Sequence, residues 1–247
     1  MIITSFKQNT VEWLQFRIGK ITASRVCDVM NFRKDGKPGA DRLRYLSELV
    51  AERLTGRAAD HYVTPAMERG TDEEPFARAA YEVSTGVDVE QVGAAVHPFM
   101  EFFSASPDGL VGTDGMVEFK NPTTIKHVDW IRADIVPAEH EAQMYAGMAC
   151  AERAWCDFVS FDSRLPAGLR VFTKRLMRDE ARIAEIQVAV CQFNDEVNEI
   201  IDQLHQLREF FEASDPPSKP QPAFEGDMGI SDEDIQSVYP SWHSGTE

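Results

Sequence analysis

The chain has 247 residues, of which 43% are hydrophobic and 27% charged, and its formal net charge is −16. This length is enough for one domain with a sizeable core, and no apolar run approaches the ~20 residues of a membrane span. The four scattered cysteines form no C-x2-C pair, and the first ten residues lack the apolar segment of a signal peptide. The sequence therefore predicts an intracellular protein without a disulfide framework or a zinc site.

The acidity argues against a protein that binds nucleic acid through its overall charge, because phosphate contacts need Lys and Arg. The charge is unevenly distributed, however. Residues 1–60 carry eleven Lys and Arg against seven Asp and Glu, whereas residues 214–247 carry one Lys against seven acidic residues. A basic surface on an acidic body would guide a polyanion to one place. Chance is the alternative explanation of the asymmetry.

The predicted elements alternate between helices and strands along the chain. Residues 10–30 form a helix, a break at 18–20 and a second helix that starts near Thr22 or Ser24, both of which are suitable N-caps. The pattern then predicts helices at 41–54 and 64–83, strands at 87–96 and 102–105, a hairpin within 108–120, a helix from the loop at 136–137 to about 151, and strands at 155–161 and 169–176. This order predicts an α/β fold with a central mixed sheet flanked by helices.

Residues 179–212 read as one long amphipathic helix that ends a single domain spanning 1–213. Two arrangements suit this helix: packing on the sheet with one end protruding, or contact between subunits. Residues 214–247 form an acidic, proline-containing tail with the composition of a flexible segment. Its apolar residues near the end, such as Tyr239 and Trp242, would either bind a surface or have no role.

The region that says most about function is the hairpin within 108–120. Asp114-Gly115 is a strong turn signal, and a turn there places Asp108 beside Glu118. Alternation along the second strand puts Lys120 on the same face as Glu118. Two carboxylates, with the carbonyl of Phe119 between Glu118 and Lys120, suit a hard cation such as Mg²⁺. A surface hairpin with ordinary charges is the alternative.

Three further blocks weigh against that alternative. Residues 13–24 read W-x3-R-x-G-x-I-T-A-S, residues 69–87 carry R-G, E, A-R and T-G-V in order, and residues 142–145 read A-Q-M-Y. Pro107-Asp108 with Glu118-Phe119-Lys120 resembles the PD-(D/E)xK nuclease superfamily. All four blocks, in this order, resemble the phage lambda exonuclease family, also called the YqaJ-type viral recombinases. The resemblance covers residues 10–165, with a continuation to about 210.

The resemblance implies a site with two Mg²⁺ ions, for which Mn²⁺ would substitute. It adds Glu74, on a helix, to the ligands Asp108, Glu118 and the Phe119 carbonyl, and it favours Glu74 over its acidic neighbours at 72 and 73. Lys120 would orient or deprotonate the attacking water or stabilise the phosphate. Cations beside a lysine lower its pKa, which would help it to act as a base.

The resemblance also implies a pocket for a terminal 5′-phosphate, formed by Arg17, Ser24 and Ser106. A guanidinium can bind two phosphate oxygens, and free amides at a helix N-terminus favour an anion. A surface salt bridge for Arg17 and an ordinary N-cap for Ser24 are the alternatives. Trp13 would stack on a base or pack in the core.

The helix after the lysine strand carries Gln143 where the family has a Q-x-Q motif. Tyr145 replaces the second glutamine, so a phosphate contact there would rest on one phenol hydroxyl. Gln143 is expected to support the site.

Together these features imply an Mg²⁺-dependent 5′-to-3′ exonuclease on double-stranded DNA ends that releases mononucleotides and leaves 3′ overhangs for phage-type recombination. The resemblance also implies a homotrimeric ring and a single-strand annealing partner. Two alternatives remain open: an endonuclease of the same fold, and a non-catalytic DNA-end-binding accessory protein. Paired carboxylates beside a lysine argue against the second, because a binding module has no use for them near a phosphate.

Overall fold

The computed structural model describes residues 2–59 and 65–214. Its helices are α1 (Val11–Arg17), α2 (Val26–Val29), α3 (Ala40–Thr55), α4 (Pro65–Thr85), α5 (Thr124–Ala133), α6 (Ala138–Ala151) and α7 (Glu180–Ser214). Its strands are β1 (Ile2–Ile3), β2 (Ile21–Thr22), β3 (Val89–Glu90), β4 (Ala95–His97), β5 (Met100–Ala105), β6 (Gly109–Val111), β7 (Gly115–Lys120), β8 (Trp155–Phe161) and β9 (Val171–Met177). No helix in these two stretches is long and apolar enough to cross a membrane.

The strands form two mixed sheets, with orders β1-β4-β5-β2 and β3-β6-β7-β8-β9. Strands β7 and β8 run parallel, and α5 and α6 make the crossover between them. Every other pair in the five-stranded sheet is antiparallel. The expected mixed α/β fold with flanking helices is confirmed, and the expected central sheet is divided into a four-stranded and a five-stranded part.

The two faces of the five-stranded sheet pack in separate apolar clusters. The larger cluster joins one face, which includes Met116 and Phe158, to α3, α6 and α7. The smaller one joins the other face, which includes Val117 and Phe119, to Ala77 and Tyr81 of α4. Side chains alternate along a strand, so β7 belongs to both clusters at once.

Two predicted elements take a different form. The helix expected from Thr22 or Ser24 is instead strand β2, a 3-10 turn (Ala23–Arg25) and the short α2, because Ile21 and Thr22 pair with β5. The single strand expected at 87–96 is two short strands in different sheets. Between them Gly93 approaches the main chain so closely that an added Cβ would lie 2.2 Å from the Phe6 carbonyl oxygen.

Helix α7 packs through its first half and projects through its second. Ile183, Ile186 and Phe193 are buried against α3 and α6, whereas residues 202–210 are all exposed. This matches the expected packed helix with one protruding end. The expected tail at 214–247 lies outside the described residues after Ser214.

Candidate active site

The centre of the site is Glu118, which is only 3% exposed on β7. Its Oε1 accepts hydrogen bonds from Lys120 Nζ and from Gln143 Nε2, both at 2.5 Å. Lys120 Nζ also donates to Gln143 Oε1 at 3.4 Å. The expected same-face arrangement of Glu118 and Lys120 is thus present, and Gln143 of α6 bridges them.

Asp108 lies directly before β6, next to Glu118 on the neighbouring strand. Its Oδ2 accepts a 2.6 Å hydrogen bond from the Phe119 N–H, which brings the Phe119 peptide to the site. Burial raises the pKa of Asp108 well above its usual range, and the negative charges of Glu118 and Glu74 raise it further. The carboxylates of the site therefore disfavour one another's negative charge.

Glu74 reaches the same region from α4. Its Oε1 accepts a 2.8 Å bond from Arg78 Nη2, one turn further along the helix. Burial raises the pKa of Glu74, and the charge of Glu118 acts in the same direction against the effect of Arg78. The helix therefore brings its acidic side chain within electrostatic range of the two strand carboxylates.

Lys120 has a raised pKa in this surrounding. Burial works against its charge, but Glu118 and Asp108 more than compensate. The lowered pKa expected from the sequence assumed cations beside the ammonium, and with the protein's own groups the direction is the opposite. Lys120 is therefore held as an ammonium, a donor that can bind an anionic phosphate oxygen.

As they stand, no three His, Cys, Asp or Glu side chains in residues 2–59 and 65–214 converge closely enough to hold a metal ion. The chemistry of the donors nevertheless fits a hard cation. Asp108, Glu118 and Glu74 offer carboxylate oxygens, which Mg²⁺ prefers, and their mutual repulsion is what a cation relieves. In Glu74, Asp108 and Glu118 alike, the hydrogen bonds described above are accepted by one oxygen of the carboxylate. A bound ion would draw these side chains closer together.

A small pocket of about 30 Å³ opens beside Glu118 and Gln143. Arg17, Ser24 and Ser106, the three residues expected to bind a terminal phosphate, all line it. Helix α1 supplies the first, the 3-10 turn after β2 the second, and the loop between β5 and β6 the third. Ser106 thus meets Arg17 and Ser24, which are more than 80 positions away in sequence, next to Glu118.

Trp13 belongs to this pocket's framework. Its Nε1 donates to Ser106 Oγ at 2.9 Å, and Arg17 Nη1 donates to the same oxygen at 3.2 Å. The Arg17 guanidinium lies over the Trp13 ring at 4.4 Å from the ring centre. Trp13 is half-buried and lies outside both apolar clusters, so its indole acts here as a platform and a donor for the pocket.

Ser24 is exposed in the 3-10 turn, and its Oγ lies 3.3 Å from Thr22 Oγ1. It occupies no N-cap position: Thr22 precedes the turn and Arg25 precedes α2. The ordinary N-cap alternative for Ser24 is therefore wrong. Ser24 lines the pocket instead.

Tyr145 is not brought to the site. It is 8% exposed on α6 and packs in the larger apolar cluster. The charges that act on its hydroxyl are those of Glu141 in α6, of Asp179 directly before α7, and of Arg182 in α7. Two residues along a helix are about 200° apart, so Gln143 and Tyr145 cannot both face β7. The expected substitute for the second family glutamine is thus a core residue.

The sequence reading missed two polar residues beside the site. Arg78 was noted only as part of a motif, yet it holds Glu74. Asn121, directly after Lys120, donates from Nδ2 to the carbonyl oxygen of Gly70 in α4 at 2.9 Å. The signal in the sequence that could have indicated Asn121 is its place as a polar residue directly after the E-x-K triplet.

Comparison with known proteins finds a family model and solved structures of exonucleases that are similar to this chain. The family model described as the YqaJ-like viral recombinase domain matches residues 12–154. An alkaline exonuclease from Laribacter hongkongensis is 44% identical, with a TM-score of 0.76 over 82% of this chain and 100% of that chain, and it is also known in complex with dAMP with the same figures. A phage related exonuclease from Haemophilus somnus 129PT shares the fold, at 18% identity and a TM-score of 0.61 over 75% of this chain and 96% of that one.

The curated proteins contain no match to the chain. The family match covers more than half of the sequence and includes every residue of the site from Trp13 to Gln143. The chain therefore belongs to the YqaJ-like viral recombinase family.

Proposed function

We propose that this protein is an Mg²⁺-dependent exonuclease that digests one strand of double-stranded DNA from a 5′ end. The observation that carries the proposal is the pocket where Arg17, Ser24 and Ser106 meet beside Glu118 and Gln143. An anion pocket next to a carboxylate cluster suits a chain end held one nucleotide from the bond that is cut. The related Laribacter protein is an alkaline exonuclease, which supports the same activity here.

The pocket's chemistry favours a phosphate. Ser106 Oγ accepts bonds from both Trp13 and Arg17, so its own O–H is the donor it can direct to an anion. Arg17 adds a positive charge, and the ring of Trp13 holds the guanidinium in place. Arg17, Ser24 and Ser106 all line the pocket, so the anionic terminal phosphate is the part of a DNA end whose chemistry suits it.

Asp108, Glu118 and Glu74 are the residues that would hold the metal, with the Phe119 carbonyl as a further oxygen donor. When bound, Mg²⁺ would polarise the phosphodiester and lower the pKa of the attacking water, and Mn²⁺ would substitute for it. Lys120, held as an ammonium by Glu118, would bind a non-bridging phosphate oxygen and stabilise the charge that develops on it. Gln143 holds the side chains of Glu118 and Lys120 beside each other, because its amide nitrogen donates to Glu118 and its amide oxygen accepts from Lys120.

The direction of digestion follows from holding the 5′-phosphate. The first phosphodiester bond then lies at the carboxylates, so each cut releases a mononucleotide and leaves the other strand as a 3′ overhang. The Laribacter relative binds dAMP, a deoxynucleoside monophosphate of this kind. A 3′ overhang is the substrate of a single-strand annealing protein, the partner that we propose for this enzyme in the cell.

The test compares linear duplexes that carry a 5′-phosphate or a 5′-hydroxyl. We expect the phosphorylated end to be digested about tenfold faster, because charge-assisted hydrogen bonds are roughly twice as strong as neutral ones. Arg17→Ala should remove the preference. Arg182→Ala, which removes an exposed arginine paired with Glu185, is the matched control and should keep it.

Covalently closed duplex DNA separates the remaining alternatives in the same assay. An exonuclease leaves it intact. Cleavage of closed circles would support an endonuclease of the same fold, and binding without cleavage of any substrate would support an accessory protein.

We further propose that the protein is a homotrimer whose basic N-terminal residues face a DNA channel. A ring would keep a chain with a net charge of −16 bound to the polyanionic DNA, because it would place basic residues in the channel and acidic residues outside it. Lys20, Arg33 and Lys34 are the candidate channel charges. Arg25, a fourth candidate from the sequence, is a weaker one, because it pairs with Asp28 and Glu48 and covers Tyr45.

Light scattering at micromolar concentration should give three times the chain mass of 27.8 kDa. Truncation after Ala213 should leave the number of chains in the assembly and the cleavage rate unchanged, which separates the contribution of the last 34 residues. A monomer mass for the full chain would refute the ring.

A further inference from the structure

The part of α4 that carries Glu74 is held differently from the rest of the helix. Ala77 and Tyr81 are buried, at 0% and 1% exposure, and the Tyr81 hydroxyl donates to Asp157 at 2.7 Å. None of residues 69–76 is buried. Pro75 lies between the two parts and has no N–H for the helical bond at its position. Apolar packing therefore fixes the second part of α4, while the position of Glu74 depends on polar contacts.

Asn121 supplies the contact that joins this part of α4 to the catalytic strand. It directly follows Lys120, and its Nδ2 donates to the Gly70 carbonyl oxygen at 2.9 Å. Gly70 lies one helical turn before Glu74, so this bond links the backbone next to one carboxylate with the end of the strand that carries another. Within the described residues Asn121 Oδ1 is buried without a hydrogen-bond partner. A half-satisfied buried amide is a poor stabiliser of a fold, which points to a role in positioning.

Two other polar contacts of this segment constrain it less. Ser163 Oγ donates to Glu73 Oε1 at 3.2 Å, but this contact is exposed, and exposed side-chain pairs of this kind are worth little. Arg78 binds Glu74 from the same helix, so it orients the carboxylate without fixing the helix to the sheet. The Asn121–Gly70 bond is thus a direct link between this turn of α4 and the end of β7.

We propose that Asn121 is a positioning residue that sets Glu74 against Asp108 and Glu118 for metal binding. Asn121 acts through Glu74, by holding the Gly70 end of its helical turn against β7. This role rests on the proposed metal-dependent function. It predicts that the Asn121 amide contributes to cation affinity only while Glu74 can contribute a carboxylate.

Mn²⁺ binding, followed by electron paramagnetic resonance of the free ion with no DNA present, gives a readout that is independent of cleavage. Asn121→Ala should weaken the binding about 10- to 100-fold, as other groups that orient metal ligands do. Asn121→Leu keeps the volume of the side chain without its donor and should behave in the same way. Asn198→Ala removes an amide that accepts from Arg53 on the exposed side of α7, and it should bind Mn²⁺ like the wild type.

A double-mutant cycle with Glu74→Gln decides whether Asn121 acts through Glu74. The double variant should bind no more weakly than Glu74→Gln alone. Additive losses, or wild-type binding by Asn121→Leu with an unchanged melting temperature, would overturn the proposal. If the cycle is non-additive but the wild type cleaves no DNA, the positioning role stands and the nuclease proposal fails. If the wild type cleaves DNA and the Asn121 variants bind Mn²⁺ normally, only the positioning role fails.

Discussion

Two buried acidic residues on neighbouring strands of one sheet show how differently a carboxylate can be used. Glu118 on β7 and Asp157 on β8 are 3% and 2% exposed, and Asp157 pairs in register with Val117, the residue before Glu118. They point to opposite faces of the sheet. Each is bonded to one cation and one neutral donor, so their immediate partners look similar in kind.

The difference lies in how completely each carboxylate is satisfied. Both oxygens of Asp157 are used: Arg175 donates to Oδ1 at 2.7 Å and to Oδ2 at 2.9 Å, and Tyr81 donates to Oδ2 at 2.7 Å. Arg175 itself stacks on Trp155 at 3.4 Å. Glu118 instead receives Lys120 and Gln143 on one oxygen and has two further carboxylates near it. A closed network stabilises a fold, whereas a cluster with excess negative charge is prepared for a cation.

Asp108→Asn is the change that we expect to separate the two carboxylate networks most clearly. We expect the rate of DNA cleavage to fall by about 10³ or more, because the variant loses a proposed metal ligand. The folded protein should keep or gain stability, since Asn can still accept from the Phe119 N–H and the repulsion with Glu118 disappears. Single-turnover cleavage and a thermal melt measure the two effects. A variant that cleaves at near the wild-type rate would remove Asp108 from the site.

Asp157→Asn tests the closed network and should show the reverse pattern. Removing one partner of a fully buried ion pair costs about 3–5 kcal/mol, and because Arg175 is 49% exposed we expect about 2 kcal/mol here. Urea denaturation measures this loss. The cleavage rate per folded molecule should stay within about threefold of the wild type, since Asp157 lies on the other face of the sheet. A thousandfold loss of rate with unchanged stability would show that the two networks are not separate.

A smaller effect is expected at Gln143, which touches Glu118 and Lys120 without holding a charge. Gln143→Ala should slow cleavage about 10- to 100-fold, as loss of a ligand-orienting group does. Tyr145→Phe, two residues along α6 and facing the core, is the matched control and should change the rate less than about twofold. Equal effects of the two changes would indicate that α6 acts through its packing alone.

The sequence predicted much of this site because its strongest signals are local. The turn at Asp114-Gly115 and the alternation along β7 already placed Asp108, Glu118 and Lys120 together, and the structure does bring Lys120 to Glu118 and the Phe119 peptide to Asp108. Resemblance to the family brought in the distant residues Arg17, Ser24 and Ser106, which no local pattern could have joined. All three line one pocket.

What the sequence did not predict depends on tertiary contacts. The Ile21-Thr22 pair follows a helical stretch, yet it forms a strand because β5 offers an edge to pair with. The close approach of Gly93 to Phe6, which divides the strand predicted at 87–96, is set by a residue 87 positions away. Tyr145 was read as a polar substitute in a motif, although the pitch of α6 turns it into the core. The Asn121–Gly70 hydrogen bond likewise could not be predicted, because no periodic pattern in the sequence indicates it.

Strand β7 lies between the two apolar clusters, and this has a consequence for how its mutations would be tolerated. A saturation scan from 117 to 120 that measured enzyme turnover and cellular abundance separately should alternate with a period of two. Val117 and Phe119, which pack against α4, should respond in abundance, and Glu118 and Lys120 should respond in turnover. Neighbouring positions of this one six-residue strand would then be under two different kinds of selection, one for folding and one for catalysis.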